Sequence, residues 1–265
     1  MAGLNSIAEG DKKNPFSRSK WNIGLWVLVA AYLVYSVDAM GLNGERFLSG
    51  IGHAGTLLDR MFPPNFERWE LLLSGLVESL EIAMISSVSG IFLSLFIGIL
   101  AARNLMPAWV SVPIRGFIAL CRSFHPVIIA ILFVKSVGFG ALAGILTLII
   151  ASIGFIAKLF AEAIEEISLK QVEAIRATGA SFSSVVIYAV MPQVFSRFIG
   201  FATYQFDSNL RNSTMVGIVG AGGLGGTLFS AFQRFDYDFV AAILITIISL
   251  ILVWEFLSTL VRRVF

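Results

Sequence analysis

The run Gly217–Thr227 reads GIVGAGGLGGT and carries two nucleotide-binding spacings at once. Gly220, Gly222 and Gly225 satisfy the dinucleotide pattern G-x-G-x-x-G, and Gly220–Thr227 follows the phosphate-loop pattern with Gly226 where the lysine belongs. Just upstream, DSNLRNST sets Asp207 and Arg211 four residues apart, where they can pair on one helix face, with Asn209, Asn212 and Thr214 beside them. Glu78 and Glu81 stand one helical turn apart. His53 and His125 are distant in sequence, which argues against a histidine-rich metal site, and His125 directly before Pro126 reads as the start of a helix. Cys121 is the only cysteine, so neither an intrachain disulfide nor a thiolate cluster can form. With no nucleophile–base pair and no metal-ligand spacing, the chain does not read as an enzyme.

The elements that carry these residues are set by composition. Of 265 residues, 57% are hydrophobic and 14% charged, with a mean hydropathy of +0.85. Too few polar side chains remain to cover a water-facing surface, so an all-α polytopic membrane protein is expected. Six apolar spans can be drawn: Trp21–Val37, Leu71–Leu100, Phe124–Val137, Leu142–Phe160, a fifth from Val194 interrupted by Asp207–Thr214, and Phe239–Leu257. Asp38–Glu70 reads as an extramembrane loop, Arg103–Arg122 as a short amphipathic stretch, Ala161–Pro192 as a polar loop, and the residues after the glycines as a polar loop to Asp238. Lys12, Lys13, Arg18, Lys20, Arg103, Arg115, Arg122, the 161–192 loop and Arg262–Arg263 then share one side, and the acid-rich 38–70 segment takes the other. The positive-inside rule makes both termini cytoplasmic. A net charge of +2 gives no reason to expect a nucleic-acid partner.

This topology disposes of the nucleotide motifs. A dinucleotide fingerprint needs a strand before it and a βαβ unit around it, whereas here the flanks are spans and the glycines fall at the non-cytoplasmic end of the fifth. Gly217, Gly220, Gly222, Gly223 and Gly225 are therefore expected to serve close helix packing or a gate.

The segment VEAIRATGASFSSVVIYAVMPQV resembles the EAA loop of bacterial ABC-importer permeases. Glu173 and Ala174 match its opening, Gly179 falls at its glycine, and Pro192 follows thirteen residues later; Ile175, Ala189 and Met191 depart from the pattern. AKLFAEAIEEI, RSFHPVIIAILFVKSVGFGALAGIL and RNSTMVGIVGAGGLG are similar to stretches of the phosphonate-importer permeases, and the likeness runs from about Leu71 to the C-terminus.

The resemblance implies a type I ABC importer permease fold and a division into residues 1–70 and a transmembrane domain, 71–265, with a coupling loop at 161–192. It implies a bacterial inner-membrane importer for phosphonate or a related phosphorus oxyanion. The permease would work as a pair, expected to be a homodimer, with two cytoplasmic ATPases that carry ATP and Mg and with an extracytoplasmic binding protein. No cofactor is expected on this chain. Glu173, Ala174, Gly179 and Pro192 would couple to the ATPase. Asp207, Asn209, Arg211, Asn212 and Thr214 would line a polar pathway, or instead pair and pack. A permease for methionine or another small solute, and an ion-coupled secondary transporter, are the competing expectations.

Overall fold

The computed structural model describes residues 20–41 and 44–264. Lys12, Lys13 and Arg18, which bear on the orientation, lie outside them. Eleven α-helices are present among the described residues, and no strand: α1 Lys20–Ala39, α2 Gly44–Met61, α3 Trp69–Ala101, α4 Ala108–Ser123, α5 Pro126–Val137, α6 Ala141–Glu165, α7 Leu169–Ala177, α8 Phe182–Val185, α9 Met191–Val216, α10 Gly223–Gln233 and α11 Tyr237–Val264. Two π-helical turns, Val186–Val190 and Gly217–Ala221, flank α9. Among the described residues, five helical segments are long and apolar enough to cross a membrane, and α4 with α5 makes a sixth if that pair, bent by 89°, is one span.

Contacts divide the chain into Met1–Asp59 and Arg60–Phe265. In the first unit α1 is apolar and exposed along its described length. The segment read as a loop after it contains α2, which places Phe47, Leu48, Ile51 and Leu58 at helical spacing among Glu45, Arg46 and Asp59. Mixed polar and apolar periodicity of this kind makes an amphipathic helix rather than a span.

The second unit is organised by α3 and α6. α3 carries a stripe of small residues: Gly75, Ser79, Ala83, Ser87, Gly90, Ser94 and Gly98, all buried. A four-residue repeat of small side chains lets a second backbone approach closely, which is how helices associate where the surrounding lipid is itself apolar. A Cβ on Gly90 would strike Ser152, and one on Gly98 would lie 2.9 Å from the Phe160 ring. The bond from Arg103 N to Glu165 Oε1 spans 62 positions, and the contacts Ile82–Gly144, Gly90–Ser152 and Gly98–Phe160 keep that same separation. The two helices therefore run parallel.

Parallel neighbours force the intervening chain to cross back. α5 has 12 residues, about 18 Å, too short for a hydrocarbon core of about 30 Å. The expected span Phe124–Val137 is thus only half of the crossing. The other half is α4, read from sequence as an amphipathic stretch outside the spans, which climbs α6 from Glu165 to Gly154 before the bend. His125 caps α5 through a bond from Val127 N at 3.3 Å, and Pro126 opens the helix.

α9 runs antiparallel to both. Phe198 meets Phe160 edge to face, Tyr204 packs at a tilt on Phe155, and Asn209 bonds to Ser87 and Ser152. The expected interruption at Asp207–Thr214 is absent: α9 is unbroken there, because polar side chains with partners do not disturb the backbone ladder. The break falls later, at Gly220 (φ 98°), Gly222 (φ 83°) and Gly223 (φ 72°). The expected polar loop beyond it is α10, which continues along α3 past Ser79 and Gly75 and buries Leu224 and Leu228 near Leu72.

Candidate functional site

A buried polar cluster occupies the centre of the bundle. Asn209 Nδ2 donates to Ser87 Oγ at 2.9 Å and Ser152 Oγ at 3.1 Å, and Gln205 Nε2 donates to Ser152 Oγ and Asn209 Oδ1, each at 2.9 Å. Ser152 in turn donates to Leu148 O at 2.6 Å. Three helices are joined through four side chains, all buried. Asn209 stands inside the bundle with its amide satisfied, so of the pathway candidates it is the one enclosed by packing. Ser87, Ser152 and Gln205 were not singled out from the sequence. The stripe of small residues on α3 was the signal that could have found the first.

Asp207 and Arg211 lie on a different face of α9. Arg211 Nη2 meets Asp207 Oδ2 at 2.8 Å, with the arginine side chain 59% exposed and the aspartate 17%. Asn212 bonds only weakly, to Ser208 Oγ at 3.3 Å, and Thr214 is half-buried. The eight-residue polar run therefore splits: 209 and 213 face inward, in line with Gln205 before the run, and 207 and 211 pair on another face.

The glycines form a junction of three elements. Gly220 O accepts from Gly140 N at 3.0 Å, tying the break to the start of α6. Ser79 Oγ of α3 accepts from Leu224 N at 2.8 Å, so the first turn of α10 is capped by a neighbouring helix. A Cβ on Gly217 would strike Gly222 O, and one on Gly225 would strike Thr214 O. At Gly222 it would meet the Glu78 carboxylate, at Gly223 it would meet Ser79, and at Gly220 the exposed Phe139 ring. Gly222, with ψ −173°, occupies a backbone region open essentially to glycine alone. A helix, not a strand, leads into this stretch. A cleft of about 710 Å³ opens beside it, lined in part by Phe139, Gly217, Gly222 and Phe229.

At the opposite end of the bundle, α7 buries Val172 against the cluster containing Phe160, Ile164, Ala189 and Val194. Glu173 and Ala174 are exposed on its outer face, and Glu173 has no ion-pair partner among the described residues. Gly179 ends the helix at φ 77°. Pro192 sits at the start of α9, directly after the first π turn, where Met191 N bonds to Val186 O five residues back. Proline has no N–H to continue the ladder, and the wide turn absorbs that gap. Gln193 completes the arrangement: its Nε2 donates to Ala189 O at 2.7 Å and its Oε1 accepts from Ser168 N at 3.0 Å, which fixes the start of α7 to α9. Sequence spacing did not point to Gln193.

The same end is clamped by charges. Glu165 accepts from Arg103 N at 2.8 Å and from the Arg115 guanidinium, whose Nε donates to Ala101 O at 2.8 Å at the end of α3. Arg197 pairs with Glu166. Among the described residues no three histidine, cysteine or carboxylate side chains come together as a metal site.

The profile described as "Binding-protein-dependent transport system inner membrane component" matches residues 94–264. The phosphite transport system permease protein PtxC of Stutzerimonas stutzeri is 36% identical over 240 residues, covering 90% of this chain and 86% of the relative. The phosphate-import permease protein PhnE of Mycolicibacterium smegmatis is 37% identical over 239 residues, 88% of this chain, although the chain spans only 43% of that relative's length. A chain of the MetNI methionine ABC transporter, solved in inward-facing conformations, superposes with a TM-score of 0.67 at 24% identity, over 76% of this chain and 98% of that one, and shows the fold. A parallel α3–α6 pair, a broken return crossing and an antiparallel α9 thus belong to a type I ABC importer permease fold, and the chain is a member of the binding-protein-dependent transport inner-membrane component family.

Proposed function

We propose that this chain is the transmembrane permease subunit of an ABC importer that moves phosphonate or a related phosphorus oxyanion across the inner membrane. The observation that carries the substrate class is the identity of 36% to a permease named for phosphite, over nearly the whole of both chains. The phosphate named for the mycobacterial relative points to the same chemistry. Methionine, named for the structural neighbour and for a Pasteurella multocida permease 28% identical over 194 residues, has the weaker likeness.

Transport by such a subunit needs an energy input delivered mechanically, since ATP and Mg reside on two partner ATPases. The exposed Glu173–Ala174 face of α7, ended by Gly179 and braced by Gln193, suits a docking knob for those subunits. Glu173 offers a charge-assisted contact to a basic group, and Pro192 with its π turn holds the knob at a fixed angle to α9. In this reading the α7 end is cytoplasmic, as are both termini, and the Gly217–Gly225 junction lies toward the extracytoplasmic side, where a phosphonate-type binding protein delivers substrate. A second copy of the permease completes the channel. Arg211, steadied by Asp207 and neighboured by Asn212 and Thr214, presents a guanidinium fork suited to a multi-oxygen anion. Asn209 contributes by holding α9 against α3 and α6. The glycines allow α9, α10, α3 and α6 to meet without side chains between them.

Reconstitution with the cognate ATPase and binding protein in vesicles tests this reading. ATP-dependent uptake of labelled phosphonate, phosphite or phosphate is expected, with no uptake of methionine. Methionine uptake without any phosphorus oxyanion uptake would replace the substrate class.

A further inference from the structure

Between α4 and α6, at the α7 end of the bundle, lies a cleft of about 300 Å³ whose charged lining is basic throughout: Arg103, Arg115, Arg122 and Lys158. Ile118 and Ala161 form its apolar floor. The cations are staggered in depth. Arg115 is level with Glu165 at the last turn of α6, and Lys158 lies about two turns further in. The stem of Arg122 crosses α6 at Gly154, where even a Cβ would lie 2.9 Å from Arg122 Cγ. Gly154 is eleven residues from Glu165, about 16 Å along the helix. Glycine at 154 is thus what lets an arginine stem pass at this depth.

Two of the four charges are compensated. Arg115 is committed to Glu165 and to Ala101 O. Lys158 faces Glu162 at 3.4 Å. The guanidinium groups of Arg103 and Arg122 meet no carboxylate among the described residues. Both residues are exposed at the rim of the cleft, where neighbouring like charges repel and a shared anion relieves that repulsion. A tetrahedral phosphorus oxyanion carries about 1.5 to 2 negative charges near neutral pH as a free ion or monoester, one as a phospholipid diester, and accepts two parallel bonds from a planar guanidinium fork.

We propose that this cleft is a binding site for a phosphate-type oxyanion group. Arg103 and Arg122 are its direct ligands, and Arg115, held by Glu165, forms one fixed side of the cleft. Two sources present the same chemistry: a free phosphorus oxyanion in the aqueous phase, and the headgroup of an anionic phospholipid. The site stands independently of the transport reading, because binding is measured without partners or ATP.

The test uses the full-length chain in two arms. In nanodiscs of phosphatidylcholine alone, inorganic phosphate is titrated against a chloride control of matched ionic strength. In the second arm, phosphatidylglycerol retention is counted by native mass spectrometry. Saturable binding in one arm at least is expected. The Arg103→Gln/Arg122→Gln protein should bind at least tenfold more weakly, the Arg122→Gln protein at least threefold, and Lys135→Gln, a cation on α5, should match the parent. Phosphate binding identifies the free anion as a ligand, and retention confined to phosphatidylglycerol identifies the headgroup. Absence of saturable binding in both arms, or parent-like binding by Arg122→Gln, overturns the proposal; this second criterion stands even where the double variant does not fold.

Discussion

Asn209 and Arg211 are two residues apart on one helix and have opposite circumstances. The Asn209 amide sits among Ser87, Ser152 and Gln205 with its bonds made, and removing it leaves two buried hydroxyls short of a partner. Asn209→Leu is therefore expected to destabilise the protein by about 1–3 kcal/mol, read as a lower midpoint in thermal or denaturant unfolding in detergent; an unchanged midpoint would show the cluster to be dispensable. Arg211 is a different matter, because its side chain is largely exposed while its partner Asp207 is mostly covered. If the pair only neutralises itself, Asp207→Asn/Arg211→Gln should transport normally. If Arg211 guides the anion, that double variant should assemble and hydrolyse ATP in response to the binding protein yet carry substrate poorly, and Arg211→Lys should retain part of the rate because a point charge lacks the planar fork. Uptake in reconstituted vesicles, with ATPase activity recorded alongside, separates these outcomes.

At the scale of elements, the glycine break and the α7 knob stand at opposite ends of the same helix line. Gly222 combines a glycine-only conformation with a Cβ position occupied by the Glu78 carboxylate. Gly222→Leu is expected to cost about 1–3 kcal/mol from the backbone alone, seen as lowered yield of folded protein and loss of transport. Gly222→Ala, which adds the same Cβ, should already show most of the effect. At the other end, Glu173→Lys should leave the bundle intact, since Glu173 bonds to no side chain among the described residues, and Gly179→Asp should cost only about 1–2 kcal/mol of left-handed backbone strain, with open space around it. Both variants should insert normally but co-purify less ATPase or hydrolyse ATP without transport. Parent-like complex yield and uptake in both would remove α7 as the coupling element. α4 and α5 supply a third lesson at this scale. α4 packs along α6 up to their 89° bend, with Arg122 beside Gly154, and the basic cleft is lined by residues of both α4 and α6.

At the scale of the whole molecule, the proposed function puts the α7 end of the bundle on the cytoplasmic side. Cys121 is buried and is the only native cysteine, so introduced cysteines can be labelled against a quiet background. Phe139, 86% exposed at the Gly138–Gly140 turn, and Glu173 on α7 mark the two ends of the bundle. Phe139→Cys should react with a membrane-impermeant maleimide on intact cells, and Glu173→Cys only after permeabilisation. The reverse pattern would invert the orientation and, with it, the placement of both the coupling knob and the cleft. The large apolar side chains left exposed on α3, α5 and α11 are what a membrane-embedded subunit presents to lipid and to neighbouring subunits.

Composition alone determined that this chain would be a helical membrane protein: with 14% charged residues, no water-soluble surface can be built. The spacing of Glu173, Gly179 and Pro192 and the glycine run carried the family likeness, because such motifs are local and survive as strings of letters. The return crossing was not legible in this way. A short apolar α5 and an arginine-bearing α4 look unlike a span, and only the parallel packing of α3 on α6 requires them to form one. Nor could the sequence separate Asn209 from Arg211, since polarity along a helix does not reveal which residues turn inward until three helices supply Ser87, Ser152 and Gln205 as partners. The grouping of Arg103, Arg115, Arg122 and Lys158 was decided by tertiary structure for the same reason: charges up to 55 positions apart in the chain, as at Arg103 and Lys158, meet only where a glycine on α6 lets α4 pass.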